Sequence, residues 1–171
     1  MKSTLGKSAL LLAFVAVSAC TNPNGLGGGF GGGAGGSGSG FEPGSASDPS
    51  SPAYFQQTVG DRVLFEVDQS TLTDQGRATL TGQANWLITN NDYFAVIEGH
   101  ADEQGTREYN LALGARRANA VREFLVSQGI ASNRLKTVTF GKERPIGICS
   151  AEACYAENRR AVTVISAGLS S

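Results

Sequence analysis

The chain has 171 residues, 40% hydrophobic and 17% charged, which suits one modest domain with an appendage and leaves no room for two full domains. A formal net charge of −1, from 14 basic and 15 acidic residues, excludes the basic profile of a nucleic-acid-binding protein. Glycine is unevenly spread: 12 of the 23 fall between residues 25 and 44, so the excess belongs to a linker.

Lys2 and Lys7 flank the start of the chain, and the apolar run Ala9 to Val17 follows. As a helix the run rises about 13 Å, under half of a bilayer's hydrocarbon core of about 30 Å. It is too short to span and has the length of a signal-peptide hydrophobic region. It ends in Val17-Ser18-Ala19-Cys20, which resembles the lipobox of bacterial lipoproteins, with Val17 where Leu is commoner. That resemblance implies cleavage after residue 19, a diacylglyceryl thioether on Cys20 and acylation of the new amino terminus. The alternative is an ordinary cleaved signal with an incidental cysteine. Asp after the cysteine retains enterobacterial lipoproteins at the inner membrane. Thr21 stands there instead, which implies an outer-membrane anchor and a periplasmic domain.

Residues 20–53 read as a flexible Gly/Ser/Pro-rich linker with almost nothing to bury. Its root-mean-square reach is roughly 30 Å. Phe30 and Phe41 are isolated aromatics within it.

Residues 54–168 form the predicted domain, large enough for one hydrophobic core. Arg62 to Val67 reads as a strand. A helix then begins at Thr73 or Asp74, with Leu80, Ala84, Leu87 and Ile88 at helical spacing. Tyr93 to Glu98 is nearly continuous in apolar residues and reads as a central strand. A polar loop leads into a helix from about Glu108 to Gln128, with Leu111, Ala118, Val121 and Leu125 on its apolar face and Gly129 as its stop. Leu135 to Phe140 and Arg160 to Ser166 complete the strands. The expected fold is α+β: a β-α-β-α-β-loop-β order with helices packed on a four-stranded sheet, and parallel crossovers where successive strands are neighbours.

The run "EGHADEQGTREYNLALGARRANAV", Glu98 to Val121, carries the most chemistry. It leaves a strand through Gly99 and enters a helix, so Asp102 lies just past the carboxyl end of a central strand and Arg117 within the next helix. Ligands on open α/β sheets favour that crevice. Two readings stand on the residues alone. In one, Asp102 holds an ammonium while the Arg117 fork grips a carboxylate of the same small zwitterion. In the other, Asp102 caps the turn and Arg117 pairs on the surface.

The signature "GHADEQGTREYNLALGARRANAV", with "VLFEVDQSTLT", "FGKERP" and "NRRAV" in the same order, resembles the OmpA carboxy-terminal domain family, in particular its peptidoglycan-associated lipoprotein branch. The likeness spans roughly residues 60 to 166. It implies non-covalent binding of peptidoglycan through the amine and carboxylate of meso-diaminopimelate, without cofactor or metal. By position it assigns Asp102 and Arg117 to that group, Asp68 to the pocket rim, Leu113 to an apolar wall and Arg159 to the edge of the site. Asn110 would brace the loop-to-helix junction, while Gly99 and Gly105 would permit tight backbone. Val67 departs from the aromatic common in relatives, which puts a stacking contact in doubt. His100, the only histidine, reads as a satisfied structural residue.

Cys149 and Cys154 in "CSAEAC" have no counterpart in common relatives. In an oxidising compartment they read as a disulfide; a metal site would lack clear further ligands. Three functions follow for the chain. By the resemblance it would be a wall anchor with TolB and other Tol proteins as partners in envelope integrity and division; the others are a generic anchor without Tol partners, and an envelope hydrolase using Asp102, Glu103 and His100. The last lacks opposed acid and base groups and any nucleophile motif.

Overall fold

The computed structural model describes residues 42–167. Cys20, the signal segment and the Gly-rich run with Phe30 and Phe41 lie outside the described residues. The elements are α1 (Pro52–Tyr54), a π-helical stretch (Phe55–Gly60), β1 (Arg62–Leu64), α2 (Asp74–Thr89), β2 (Tyr93–His100), α3 (Arg107–Ser127), a 3-10 turn (Ser132–Arg134), β3 (Leu135–Gly141), α4 (Glu152–Asn158) and β4 (Arg160–Ala167).

The sheet order is β1-β4-β2-β3. β2 and β3 are parallel neighbours joined through α3, whereas β4 runs antiparallel to both β1 and β2. The passage from β1 through α2 to β2 therefore does not join neighbours, because the last strand inserts between them. Helix starts follow local chemistry. Thr73 Oγ1 accepts from the Gly76 amide at 3.0 Å, and Thr106 Oγ1 from the Tyr109 amide at 3.2 Å, each satisfying an orphan donor of the first turn.

The core combines Leu80, Ala84 and Leu87 of α2 with Ala118, Val121 and Leu125 of α3 over Ala95 and Ile97 of β2. Leu111 is only half-buried. Ile88, expected on the buried stripe, is 54% exposed; Gln83 takes the inward place instead. Both ends of its amide are bonded, Nε2 donating to the Gly60 carbonyl at 2.7 Å and Oε1 accepting from Thr163 Oγ1 at 2.8 Å.

Two departures from the sequence expectation bear on the site. Order begins before residue 54: Trp86 Nε1 donates to the Pro49 carbonyl at 2.8 Å, and Phe55 packs edge-on to Trp86 with ring centroids 5.0 Å apart. Strand β1 stops at Leu64, and a turn closed by the Gln69 amide on the Glu66 carbonyl at 3.1 Å replaces its expected end. Helix α3 lies directly on the sheet because two glycines meet there. A Cβ at Gly99 would sit 1.9 Å from the Gly114 carbonyl oxygen, and one at Gly114 2.5 Å from Thr139 Oγ1. That contact sets the end of β2 beside the start of α3.

Candidate functional site

The loop between β2 and α3 is shaped by its own residues. Asp102 Oδ1 accepts from the Gln104 amide at 3.2 Å, and Asn110 Nδ2 donates to the Gln104 carbonyl at 2.7 Å. Gly105 sits at φ 88°, which side chains rarely tolerate. Lys142 ties the loop from outside, its Nζ donating to the Gly105 carbonyl at 2.8 Å. Across from this loop stands the turn after β1, where Asp68 occupies the left-handed region at φ 57°. Tyr109 OH donates to Asp68 Oδ1, joining the two walls and raising the phenol pKa.

Between these walls lies a cleft of about 230 Å³, lined by Val67, Asp68, Asp102, Gln104, Gly105, Tyr109, Asn110 and Leu113. Of the residues expected at the site, Asp68, Asp102 and Leu113 share this cleft, and Asn110 and Gly105 form its frame. Val67 is 54% exposed on its lip. Glu103, next to Asp102, is exposed and does not line it.

Arg117 does not line it either. Positions 113, 114, 117, 118, 121 and 125 form one buried seam of α3, and Arg117 is fully buried within it. Its Nε donates to the Gln69 carbonyl at 2.8 Å, Nη1 to that of His100 at 2.8 Å and Nη2 to that of Glu66 at 3.1 Å. The guanidinium also lies 5.2 Å from the Phe65 ring centroid. Burial pushes its pKa down to about 10, against the pull of Asp102, so the charge persists at neutral pH. The surface ion pair considered for Arg117 is therefore not what this residue makes. It fastens the β1–α2 turn to the end of β2, which is why β1 is short.

Arg159 lies behind Asp102. Its Nη1 is 3.3 Å from Asp102 Oδ2, Nη2 is 2.5 Å from Glu152 Oε1, and Nε donates to the Phe65 carbonyl at 3.1 Å. Burial works to lower its pKa, but the bonds to Glu152 and Asp102 outweigh it and the net shift is upward. Glu152, Tyr109 and Lys142 escaped the sequence reading because each acts across elements distant in the chain. Cys149 and Cys154 are joined by a disulfide, with Cα atoms 5.8 Å apart, in the segment leading into Arg159.

His100 is 1% exposed and stacks on Phe140 with centroids 5.5 Å apart. Contrary to a satisfied core histidine, neither ring nitrogen has a hydrogen-bond partner among the described residues. Burial, with Arg160 and Arg144 adding repulsion, lowers its pKa from 6.5 to about 4. Among the described residues there is no group of three or more His, Cys, Asp or Glu placed to hold a metal ion.

The chain matches the OmpA family model over residues 64–159. It is 47% identical over 159 residues to a Mesorhizobium japonicum protein named peptidoglycan-associated lipoprotein, covering 91% of this chain and 89% of that one. A Brucella melitensis protein of the same name is 50% identical over 121 residues, covering 71% and 72% respectively. The crystal structure of the peptidoglycan-associated lipoprotein from Burkholderia pseudomallei matches with a TM-score of 0.62 and 39% identity, over 70% of this chain and 97% of that one. The mixed four-stranded sheet with its helices agrees with that neighbour.

Proposed function

This chain belongs to the OmpA family, and from that premise we propose that it binds peptidoglycan non-covalently through the cleft at Asp102. The observation that carries the reading is the placement of two carboxylates, Asp68 and Asp102, on facing walls of one small cleft with two buried arginines beneath it. Such a site suits an ammonium with a carboxylate close by, as at the side-chain end of meso-diaminopimelate. Asp102 meets the ammonium. Arg117, its fork already committed to three carbonyls, supplies positive potential from below rather than a bidentate grip. The names of the similar proteins support peptidoglycan association and a lipid-anchored envelope location.

In this proposal Cys20 carries the lipid that holds the chain at the outer membrane, and the domain tethers that membrane to the wall from the periplasmic side. The function is binding, not catalysis: His100 is neutral, buried and absent from the cleft lining. The finer reading places the chain with TolB and other Tol proteins in envelope integrity and division. Co-purification with TolB separates it from a generic wall anchor.

The deciding experiment is co-sedimentation with purified sacculi. Asp102→Asn should weaken binding by about tenfold, the range of a charged hydrogen bond discounted for a wet site. Glu103→Gln should bind like wild type. Equal binding by folded Asp102→Asn and wild type would refute the cleft. For the anchor, Cys20→Ser should abolish incorporation of labelled fatty acid; unchanged labelling would refute it.

A further inference from the structure

Arg159 stands between two carboxylates from different parts of the molecule. Asp102 on the cleft wall is 3.3 Å from Nη1, and Glu152 in the first turn of α4 is 2.5 Å from Nη2. The Phe65 carbonyl holds Nε, so the guanidinium cannot close fully on one acid without leaving the other. Glu152 has a side chain 68% exposed, yet its backbone is held from both sides. It lies inside the ring closed by the Cys149–Cys154 disulfide. Gly147 packs so tightly there that a Cβ on it would stand 2.9 Å from the Cys154 Cα. Asn158, at the far end of α4, pins the Ile146 and Gly147 amides at 2.8 and 3.0 Å.

Resting on the peptidoglycan reading above, we propose that Glu152 is a positioning residue for the cleft. By sharing Arg159 it keeps the guanidinium partly off Asp102, and the disulfide ring keeps Glu152 in place to do so. Two acids then divide one cation, and the surplus negative charge remains at Asp102 for a ligand ammonium. Without Glu152, Arg159 neutralises Asp102 one to one, and the cleft keeps only the part of its preference for a cation that Asp68 supplies.

The test compares full-length protein binding to the stem tripeptide ending in meso-diaminopimelate, blocked at its amino terminus, and to the same blocked tripeptide acetylated on the diaminopimelate side-chain amine. Glu152→Gln should bind the free-amine peptide about two- to fivefold more weakly, the scale of an exposed ion pair, and bind the acetylated one unchanged. Glu152→Asp should retain most of the preference. Cys149→Ser/Cys154→Ser should shift it in the same direction by a smaller factor. A purely structural role would lower binding of both peptides together, and that result overturns the proposal, as does an unchanged preference in Glu152→Gln. An unchanged preference in the cysteine variant removes the ring from it. If wild type itself does not distinguish the two peptides, the ammonium reading of the cleft fails first, a result distinct from failure of Glu152 alone.

Discussion

Two arginines lie beneath one cleft, in regions that satisfy their donors by different means. Arg117, on the α3 side, gives its donors to three backbone carbonyls. Arg159, at the α4–β4 junction, gives two of its nitrogens to carboxylates and one to a carbonyl. Carbonyl dipoles are fixed and do not titrate, so the first arrangement shapes the chain and leaves its positive charge formally uncompensated. Carboxylates carry whole charges, so the second sets the local potential. The same side chain thus serves as a fastener in one region and as a charge divider in the other.

The largest effect expected from this contrast is at Arg117. Arg117→Ala leaves the Gln69 and His100 carbonyls without its guanidinium, while the Glu66 carbonyl keeps the Gln69 amide, and at about 1–3 kcal/mol for each unsatisfied group the loss should be about 2 kcal/mol or more. Urea unfolding measures it. Arg117→Lys should recover little, because one ammonium cannot reproduce the fork, whereas Arg159→Lys should recover much of what Arg159→Ala loses. Equal recovery at the two positions would break the comparison.

The pH dependence sharpens it on the Arg117 side, where His100 supplies one of the three carbonyls. The His100 pKa in the folded state is about 4 against an ordinary 6.5. As pH falls, the unfolded chain takes up this proton first. Stability from this group is complete above about pH 6.5, declines through the window down to about 4, and is flat below. The total is on the order of 3 kcal/mol. His100→Leu should show a shallower fall in urea midpoint between pH 7 and 4.5 than wild type; parallel curves would contradict it. The smallest effect concerns the shared frame. Thr106→Ala removes the α3 cap and should cost about 1 kcal/mol in the same unfolding assay, with tripeptide affinity little changed.

The places of the four strands and both long helices were legible, the helices from apolar residues at helical spacing and the strands from short apolar runs. The buried place of Arg117 was not read from the sequence, although it stands four residues after Leu113 and four before Val121. A charged residue reads as surface until its partners are known, and those partners are carbonyls of a distant turn. For the same reason the early end of β1 was hidden: Glu66 has strand-like neighbours in Phe65 and Val67, but Arg117 takes its carbonyl. Order before residue 54 was obscured by Ser- and Pro-rich composition, although Trp86 reaches back to Pro49. The link from Glu152 through Arg159 to Asp102 joins three segments that only the insertion of β4 between β1 and β2 brings together.

The most direct test of the central claim is an amide-resolved nuclear magnetic resonance titration of the protein with the meso-diaminopimelate tripeptide. Saturable shifts should concentrate at Asp68, Asp102, Gln104, Gly105 and Leu113, with the amides of α2 beyond Leu80 unmoved. Saturable shifts centred elsewhere, with the Asp102 loop silent, would contradict the assignment of this cleft as the peptidoglycan site.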